Sequence, residues 1–415
     1  MKVRRPVQVT FVLLLLFRVI TTTQHAESQE RVHTLTLEQA LNRARLNAPA
    51  LLAARARIEE AKGRLRGASI PLQANPILEG TLGPRMSDFG RSTSADVSIS
   101  QDFEALGRRT ARISGAQAGV SREIAVSQET GRQLLRDVAA GFMRTLAAGE
   151  KLRVLTDADQ VASDFLTTAE RRYQAGDVPI LDVNLAKNGA ARTHAELRSG
   201  RAELATALGD LHVLLGIAPD EQFTPTGRLN DFQTPDLNTL LETAADRPDI
   251  RVLEGELREA ESEVRLGNTF KSPDFGVIGR YQRDQGDNIA EAGVRLSIPV
   301  FSRGQELRAT GSARAARIRN ELQASKISIV SEIRAAFDAY TYRAQAAQEL
   351  ETTALPSLAE NEMLARRSYE EGEIGFAELL LIRREMLETR LAYVNALLDA
   401  ALAGVDLQFK AGVSQ

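Results

Sequence analysis

The second half of the chain repeats the pattern of the first. Residues 169–183 align without gaps with residues 365–379, which lie 196 positions later. The same offset pairs Tyr173 with Tyr369, Gly176 with Gly372, Asp182 with Glu378, and Gly216 with Gly412. A repeat of this kind indicates a tandem duplication, in which one structural unit is used twice. We predict a first repeat over residues 27–220, a linker rich in Pro, Asp and Thr over 221–237, and a second repeat over 238–415.

The first 26 residues indicate export. Lys2, Arg4 and Arg5 precede an apolar run over residues 9–17, and a polar stretch follows. This order is typical of a secretory signal peptide. The alternative, a membrane anchor, needs about 20 apolar residues, and this run is about half as long. Charged residues interrupt every later apolar stretch, so a membrane location would depend on β-strands rather than on helices.

The composition argues against several classes of function. The 52 Lys and Arg residues are balanced by 55 Asp and Glu, which leaves little electrostatic basis for binding nucleic acid. The chain has no Cys, and it has neither a phosphate-binding Gly-x-x-x-x-Gly-Lys loop nor a Gly-x-Ser-x-Gly nucleophile turn. The four histidines, at positions 25, 33, 194 and 212, form no metal-binding pair at helical spacing. We therefore predict no enzymatic activity, no cofactor and no bound metal.

Each half also predicts the same order of secondary structure. A helix begins after Thr36, where a hydroxyl precedes an acid, and prolines end it at residues 71–76. Two short segments of alternating apolar and polar residues then predict a β-hairpin over 76–102, and a matching pair predicts another over 273–300. We place the first connection at residues 83–93.

A very long helical stretch follows each hairpin. No Pro occurs between residues 107 and 172, and only Pro356 occurs between 305 and 367. About 60 helical residues span about 90 Å, far more than a compact domain. In the second stretch apolar residues recur every seven positions, at Leu322, Ile329 and Ala336. That spacing is typical of a coiled coil. Gly176 and Gly372 mark the tips of two long antiparallel helical hairpins.

Four strands with one apolar face cannot form a closed wall in lipid. Unpaired N–H and C=O groups at the sheet edges would cost several kcal/mol each, and membrane barrels have at least about eight strands. Three copies of the chain would supply about 12 strands. The paired long helices would then continue below the sheet as a hollow ring of coiled coils. The fold predicted is thus mainly α, with duplicated helical hairpins and four strands that contribute to a trimeric barrel.

The repeated pattern resembles the TolC family of outer-membrane efflux proteins. Its two copies are Tyr173-x-x-Gly176-x-x-x-x-x-Asp182-Val183 and Tyr369-x-x-Gly372-x-x-x-x-x-Glu378-Leu379, each with a strand hairpin ahead of it. The resemblance covers nearly the whole chain after residue 26. The segment from Ser100 to Arg109 is most similar to the heavy-metal cation branch of the Czc and Cus kind, although Ala105-Leu106 stands where a further Gly is usual and the lipidated Cys of many relatives is missing.

The resemblance implies a function and partners. Family members form trimeric, 12-stranded barrels in outer-membrane lipid, continued by a helical tunnel in the periplasm. They are the passive exit duct of tripartite pumps, joined by a periplasmic adaptor to an inner-membrane transporter, here most similar to the RND type. The resemblance leaves the cargo open among metal cations, drugs, solvents and proteins.

Two acidic residues are candidates for a constriction. Asp182 and Glu378 lie six residues beyond the tip glycines, in the opening turns of the returning helices. A purely structural explanation is that each carboxylate complements the helix dipole, which is worth about 0.3–1 kcal/mol. The resemblance implies a second role, because the family's periplasmic constriction carries acids at the position of Glu378. A ring of such carboxylates would attract cations.

The residues around the two tips are candidates for adaptor binding. They are Arg172, Tyr173, Gly176, Asp177 and Val178 in the first repeat, and Arg367, Tyr369, Gly372, Glu373 and Ile374 in the second. The aromatic rings could also pack across their hairpins, and the arginines could complement the helix C-termini. These roles are compatible with one another. The main alternative for the whole chain is a periplasmic coiled-coil scaffold, in which the strands form a soluble cap and nothing is conducted.

Overall fold

The computed structural model describes residues 33–87, 90–218, 221–229, 236–284 and 286–413. The predicted signal peptide, residues 1–26, lies outside the described residues. The described chain is mainly helical, with one four-stranded and one two-stranded sheet. The prediction of a mainly α chain with a small β part is confirmed.

The helices are α1 (Leu37–Asn47), α2 (Pro49–Ser69), α3 (Arg108–Gln174), α4 (Ile180–Leu215), α5 (Leu237–Thr243), α6 (Pro248–Thr269), α7 (Gln305–Glu349), α8 (Leu355–Glu370) and α9 (Phe376–Lys410). A 3-10 turn, Ala244–Asp246, follows α5, and a π turn, Leu350–Ala354, joins α7 to α8. The strands are β1 (His33–Leu35), β2 (Ile77–Ser87), β3 (Gly90–Phe103), β4 (Phe223–Pro225), β5 (Asp274–Asp284) and β6 (Asp287–Ser297).

Both halves open with a helix break at a proline. The first repeat has two opening helices, because α1 ends at Asn47 and α2 begins at Pro49. The prediction of one opening helix is therefore wrong in this detail. In the second half, α6 begins at Pro248 after α5 and its 3-10 turn. Proline lacks the N–H that would continue a preceding helix, and its fixed φ suits a first turn, so each proline starts a new helix.

Two glycines pack against these breaks at equivalent places. Gly216, at the end of α4, has φ +63°, and a methyl group there would lie 2.9 Å from the carbonyl oxygen of Asn47. Gly412, after α9, has φ +75°, and a methyl group there would lie 2.9 Å from Cγ of Arg247. Both sites therefore need the backbone freedom and the small size of glycine. The matched glycines Gly216 and Gly412 therefore both approach the helix break of their own repeat, one through a backbone oxygen and the other through a side chain.

The long helices differ between the two repeats. Helix α3 runs without interruption for 67 residues, which corresponds to about 100 Å. Its counterpart is interrupted by the π turn, and Pro356 is the second residue of α8. The proline ring would clash with the carbonyl of residue 352 in a regular helix, and the wider turn relieves this clash. Among the described helices, none is both long and apolar enough to cross a membrane.

The helices pack through several separate apolar clusters rather than one core. The largest joins α1, α3, α4 and α9, and it includes the buried side chains of Phe142, Leu211 and Leu215. A second joins α5, α6, α7 and α9, and it includes Ile329 and Ile333. The heptad positions of α7 therefore face partner helices. This arrangement is that of an elongated molecule with lateral helix contacts.

The four-stranded sheet has the order β2-β3-β5-β6, and all of its pairs are antiparallel. Its apolar face is exposed, and its polar face is partly sheltered on the two central strands, β3 and β5. On β3, Ile99 is 56% exposed, whereas its neighbour Ser98 is 5% exposed. This is the reverse of a sheet in a water-soluble domain, where the apolar face packs on a core.

Two features of the strands differ from expectation. Strands β2 and β3 extend through most of the predicted connection at residues 83–93, and Pro84 pairs with Thr93 within the ladder. Within one chain β2 is an edge strand, a position at which proline is tolerated. In addition, β1 pairs in parallel with β4 and so ties the start of the first repeat to the segment that joins the repeats. These two three-residue strands carry no alternating pattern long enough to predict.

Candidate functional site

The first tip is a tight turn between α3 and α4. The N–H of Gly176 donates to the carbonyl of Tyr173 at 3.0 Å, and the N–H of Asp177 donates to the carbonyl of Arg172 at 2.9 Å. Gly176 has φ +83°, a left-handed conformation that favours glycine. This is a Schellman-type end, which satisfies the last helical carbonyls and reverses the chain. Val178 and the N-cap, Pro179, then lead into α4.

The second tip, between α8 and α9, has the same geometry. The N–H of Gly372 donates to the carbonyl of Tyr369 at 3.2 Å, and the N–H groups of Glu373 and Ile374 both donate to the carbonyl of Ser368, at 2.8 and 3.3 Å. Gly372 has φ +78°. The Oγ atom of Ser368 donates to Oε2 of Glu373 at 3.0 Å and holds that carboxylate against the turn.

The two tips differ in charge. In the second tip, Arg367 pairs with Glu371 at 2.8 Å, and Arg366 pairs with Glu370 at 3.1 Å. Glu373 and Glu378 add two more carboxylates to the same tip. The second tip therefore has an excess of negative charge.

An apolar cluster joins the two tips within one chain. Ala169, Ala186 and Phe376 are buried in it, and Phe165 and Tyr369 pack against them. The ring of Phe376 lies 6.4 Å from that of Phe165 and 6.0 Å from that of Tyr369, between centroids. Both pairs have the inclined geometry that aromatic quadrupoles favour.

A polar contact also links the tips. Arg172 donates from NH1 to the hydroxyl oxygen of Tyr369 at 2.8 Å, and its guanidinium lies 5.5 Å from the centroid of the same ring. The contact joins the end of α3 to the end of α8. Tyr173, the repeat counterpart of Tyr369, is instead an exposed side chain. The two repeats therefore use equivalent tyrosines in different ways.

The two candidate constriction acids occupy matching positions in the first turns of α4 and α9. Glu378 is exposed and Asp182 is half-buried. Each follows its N-cap residue, Pro179 or Gly375, by three positions. Neither N-cap side chain caps its helix, so the acids complement exposed N–H groups. One chain supplies one acid of each kind, so a ring would require several copies.

A cavity of about 240 Å³ lies between α3, α4 and α9, and Glu362 of α8 also lines it. Its apolar wall includes Val161, Phe165, Leu380 and Leu391. Ion pairs line its rim. Arg384 donates to Glu388 at 2.7 Å, and this hydrogen bond, with the adjacent positive charge, lowers the pKa of the Glu388 carboxyl.

At the same cavity, Glu362 of α8 accepts hydrogen bonds from two arginines of α9. It accepts from Arg383 at 2.5 Å and from Arg390 at 3.0 Å, and Arg383 also lies over the ring of Phe165 at 5.5 Å. This cluster was not predicted from the sequence. A signal for it exists, because Glu362 and Arg383 are almost equally distant from Gly372 and must face each other across a hairpin that turns there.

No cluster of three or more His, Asp or Glu side chains that could hold a metal ion occurs among the described residues. His194 pairs with Asp159 across the α3–α4 hairpin. His212 lies between the carbonyl oxygens of Leu208 and Glu221, at 2.7 and 2.9 Å from its two ring nitrogens. The His194 contact joins α4 to α3, and the His212 contacts join α4 to the loop before β4.

Comparisons with known proteins agree with this architecture. The family model described as outer membrane efflux protein matches residues 40–217 and 240–413. The cobalt-zinc-cadmium resistance protein CzcC of Cupriavidus metallidurans is 26% identical over 374 residues, which cover 89% of this chain and 88% of CzcC. The pyoverdine export outer membrane protein OpmQ of Pseudomonas putida is 26% identical over 320 residues, 71% of this chain and 68% of OpmQ.

Solved structures share the fold. The Campylobacter jejuni CmeC outer membrane channel has a TM-score of 0.78 at 17% identity, over 91% of this chain and 85% of that one. CusC, whose structures concern folding and transmembrane channel formation, has a TM-score of 0.76 at 18% identity, over 91% of this chain and 92% of that one.

Proposed function

Because the chain belongs to the outer membrane efflux protein family, we propose that it is the exit duct of a tripartite efflux pump. In this proposal three copies form one tube, with the sheets in the outer membrane and the long helices in the periplasm. The observation that carries it is the sheet, whose apolar face is exposed and whose polar face is partly sheltered, attached to long helices of which α3 is about 100 Å long.

The polar face of the sheet suits a water-filled bore. Arg280 of β5 pairs with Asp96 of β3 at 3.3 Å, and Arg295 of β6 approaches Asp102 of β3 at 3.7 Å. Arg85 of β2 also pairs with a carboxylate of β5 on this face. Charged side chains in a membrane are stable when they face water or one another, and unstable when they face lipid. The opposite face carries Leu78, Leu82 and Val294 and suits lipid.

The sheet edges support a trimer. Strands β2 and β6 are the outer strands of the four. Pairing β6 of one copy with β2 of the next would remove both edges, and three copies would then close about 12 strands. The glycine turns at Gly90 and Gly286 connect the strands at the end of the sheet away from the helices.

The tips are proposed to meet the other pump components. Arg172, Tyr173, Gly176, Asp177 and Val178 would receive a periplasmic adaptor, together with the second-repeat set of Arg367, Tyr369, Gly372, Glu373 and Ile374. An inner-membrane transporter, of the RND type, would supply the energy. The rigid glycine turns support this role, because they present the same backbone shape twice in each chain.

Heavy-metal cations are the proposed cargo. The similarity to CzcC over most of both chains supports this assignment, and so does the excess of carboxylates at the second tip. Glu378 and Asp182 would form the constriction, where copies bring like charges together and favour cations. Divalent cations would bind there in passing, since a duct must release its cargo.

Fractionation and conductance test the proposal. The full-length protein should fractionate with outer membranes, run as a heat-sensitive trimer in mild detergent and conduct ions in planar bilayers. The scaffold alternative instead predicts release by osmotic shock and no conductance. Recovery in the soluble periplasmic fraction would overturn the duct.

Replacing the constriction acids tests their role. Glu378→Ala, alone or with Asp182→Ala, should raise the conductance and weaken block by divalent cations, because the fixed negative charge is removed. Glu332→Ala is the matched control, since it removes an exposed glutamate of α7. Equal conductance and equal block in both variants would exclude the constriction.

A further inference from the structure

We infer that the cavity between α3, α4 and α9 binds a small organic monoanion with an apolar body, of the aryl carboxylate class, and that the bound ligand holds the two helical hairpins of one chain together. The first hairpin is α3 with α4, and the second is α8 with α9. Every group that forms the site belongs to one chain, so binding of the ligand does not depend on the proposed function.

The cavity is large enough for an organic ligand. Its volume is about 240 Å³. For comparison, an apolar cavity of about 150 Å³ in a protein interior binds benzene. The space exists because small side chains line the cavity at Ala158 and Ala162 of α3 and at Thr193 of α4. A body of one or two aromatic rings therefore has a suitable size.

The wall of the cavity favours an apolar body. Val161 and Phe165 line it from α3, and Leu387 and Leu391 line it from α9. An organic ligand would remove this apolar surface from water, which is favourable. A small inorganic anion would lose its hydration at the same wall and gain no apolar contact in return. The apolar wall therefore excludes an inorganic anion as the ligand.

A local excess of positive charge favours an anion. Two guanidinium groups share one carboxylate, because Glu362 accepts from both Arg383 and Arg390, at 2.5 and 3.0 Å. The other acids at the cavity are already close to further arginines: Glu196 to Arg192 at 2.9 Å, Glu388 to Arg384 at 2.7 Å and Asp157 to Arg153 at 3.6 Å. The corner around Glu362 can therefore accept one more negative charge.

Arg383 has a hydrogen-bond donor that the described part of the chain does not use. Its Nη1 atom donates to Glu362, whereas its Nε atom is buried and has no hydrogen-bond partner among the described residues. The side chain is only 20% exposed, and its guanidinium lies 5.5 Å from the centroid of the Phe165 ring. A buried donor without an acceptor costs free energy. The carboxylate of a ligand would supply both the acceptor and a countercharge.

The ligand would contact both hairpins close to the tips. Phe165 and Leu380 line the cavity, and both also pack in the apolar cluster that joins the tips around Phe376. Separation of the hairpins would therefore break the site. A ligand that binds only the joined arrangement stabilises it by mass action, and this gives the cavity a regulatory effect on the tips.

Calorimetric titration of the full-length trimer in phosphatidylcholine nanodiscs tests the binding. The probe is 2-naphthoate, and the heat of its titration into empty nanodiscs is subtracted. The probe should bind saturably. Naphthylmethylammonium, which has the same rings and the opposite charge, should bind at least about tenfold more weakly, because it cannot accept from Arg383. Absence of saturable naphthoate binding would overturn the inference, and so would equal affinity for the two probes.

Two variants locate the bound probe. Arg383→Met should weaken naphthoate binding at least about tenfold, because the charged donor is lost. Arg366→Met is the matched control, since it removes an exposed arginine of α8 that does not line the cavity, and it should leave the affinity unchanged. Ala162→Leu should abolish binding by filling the space. Unchanged affinity in both Arg383→Met and Ala162→Leu would place the probe elsewhere and overturn the site. Binding to the dissociated monomer but not to the trimer would show that a second copy fills the cavity, which would also overturn it.

Amide hydrogen exchange tests the effect on the hairpins. At about ten times the Kd of 2-naphthoate, opening that breaks the site should become about tenfold rarer. Peptides that cover residues 165–180 and 366–380 should then exchange about tenfold more slowly, whereas peptides from the middle of α3 should not change. Saturable binding with unchanged exchange at both tips would overturn the holding role. Neither measurement depends on conductance or on membrane fractionation, so its failure is distinguishable from failure of the duct.

Discussion

The contact between Arg172 and Tyr369 should control how often the two tips separate. Tyr369→Phe removes the hydroxyl and keeps the ring, which still packs on Phe376 and still faces the guanidinium. A hydrogen bond to a charged group contributes about 1.5–3 kcal/mol. Both partners are half-buried, so screening by solvent reduces this to about 1 kcal/mol. The population of separated tips should therefore rise about fivefold.

Amide hydrogen exchange of the full-length protein in detergent measures this population. Peptides that cover residues 165–180 and 366–380 should exchange about fivefold faster in Tyr369→Phe, because exchange there follows local opening. Peptides from the middle of α3 should not change, since they belong to the large cluster around Phe142.

Tyr173→Phe is the matched control, because it deletes the equivalent hydroxyl from an exposed side chain of the first tip. Equal exchange in Tyr369→Phe and Tyr173→Phe would refute the reasoning. A double-mutant cycle with Arg172→Met adds a second test. Tyr369→Phe should have little further effect once Arg172 is absent, and fully additive effects would show that the two side chains are not coupled.

The remaining predictions concern stability. Gly216→Ala should destabilise the protein by about 1–3 kcal/mol, because alanine disfavours positive φ and its methyl group would meet the carbonyl of Asn47; Gly63→Ala, in the open middle of α2, should not. Chemical unfolding of the detergent-solubilised protein measures the free energy of unfolding of both variants. Equal losses of stability in Gly216→Ala and Gly63→Ala would contradict the proposed contact. Burial raises the pKa of the Asp249 carboxyl. The hydrogen bonds and the positive charge of Arg247 lower it by more than burial raises it, so the net shift of the pKa is downward. Its stabilising effect is therefore complete above the ordinary carboxyl pKa of about 4 and is lost as the pH falls through the lower folded value. Thermal unfolding midpoints below about pH 4 should fall less steeply in Asp249→Asn than in the unchanged protein, and parallel curves would exclude this role.

Much of the fold could be predicted because its signals are local or repeated. The alternation along residues 95–99 indicated a strand with two unlike faces, and the structure shows those faces with the apolar one outward. Gly176 and Gly372 could be assigned to tips because a glycine in the left-handed conformation commonly ends a helix. The resemblance to the TolC family is confirmed by the match of the family model to both repeats.

Lateral contacts could not be predicted in the same way. The bond between Arg172 and Tyr369 depends on how one helical hairpin lies beside the other, and no spacing within either hairpin specifies that. The same holds for the cluster of Glu362 with Arg383 and Arg390, although the position of the turn could have indicated the first pair. The roles of Glu378 and Asp182 remain a prediction, because a constriction is a property of several chains together.

The π turn at Leu350–Ala354 gives the two repeats unequal mechanical properties. A continuous helix such as α3 bends only gradually, so a displacement of its end at the first tip would be transmitted to its other end, at the sheet. The widened turn before Pro356 instead interrupts the regular hydrogen bonding between α7 and α8, so we expect the second tip to move more readily than the first. In a tube built from three such chains, continuous and interrupted helices would alternate around the circumference. Any widening of the tube at its tips would then begin at the interrupted helices.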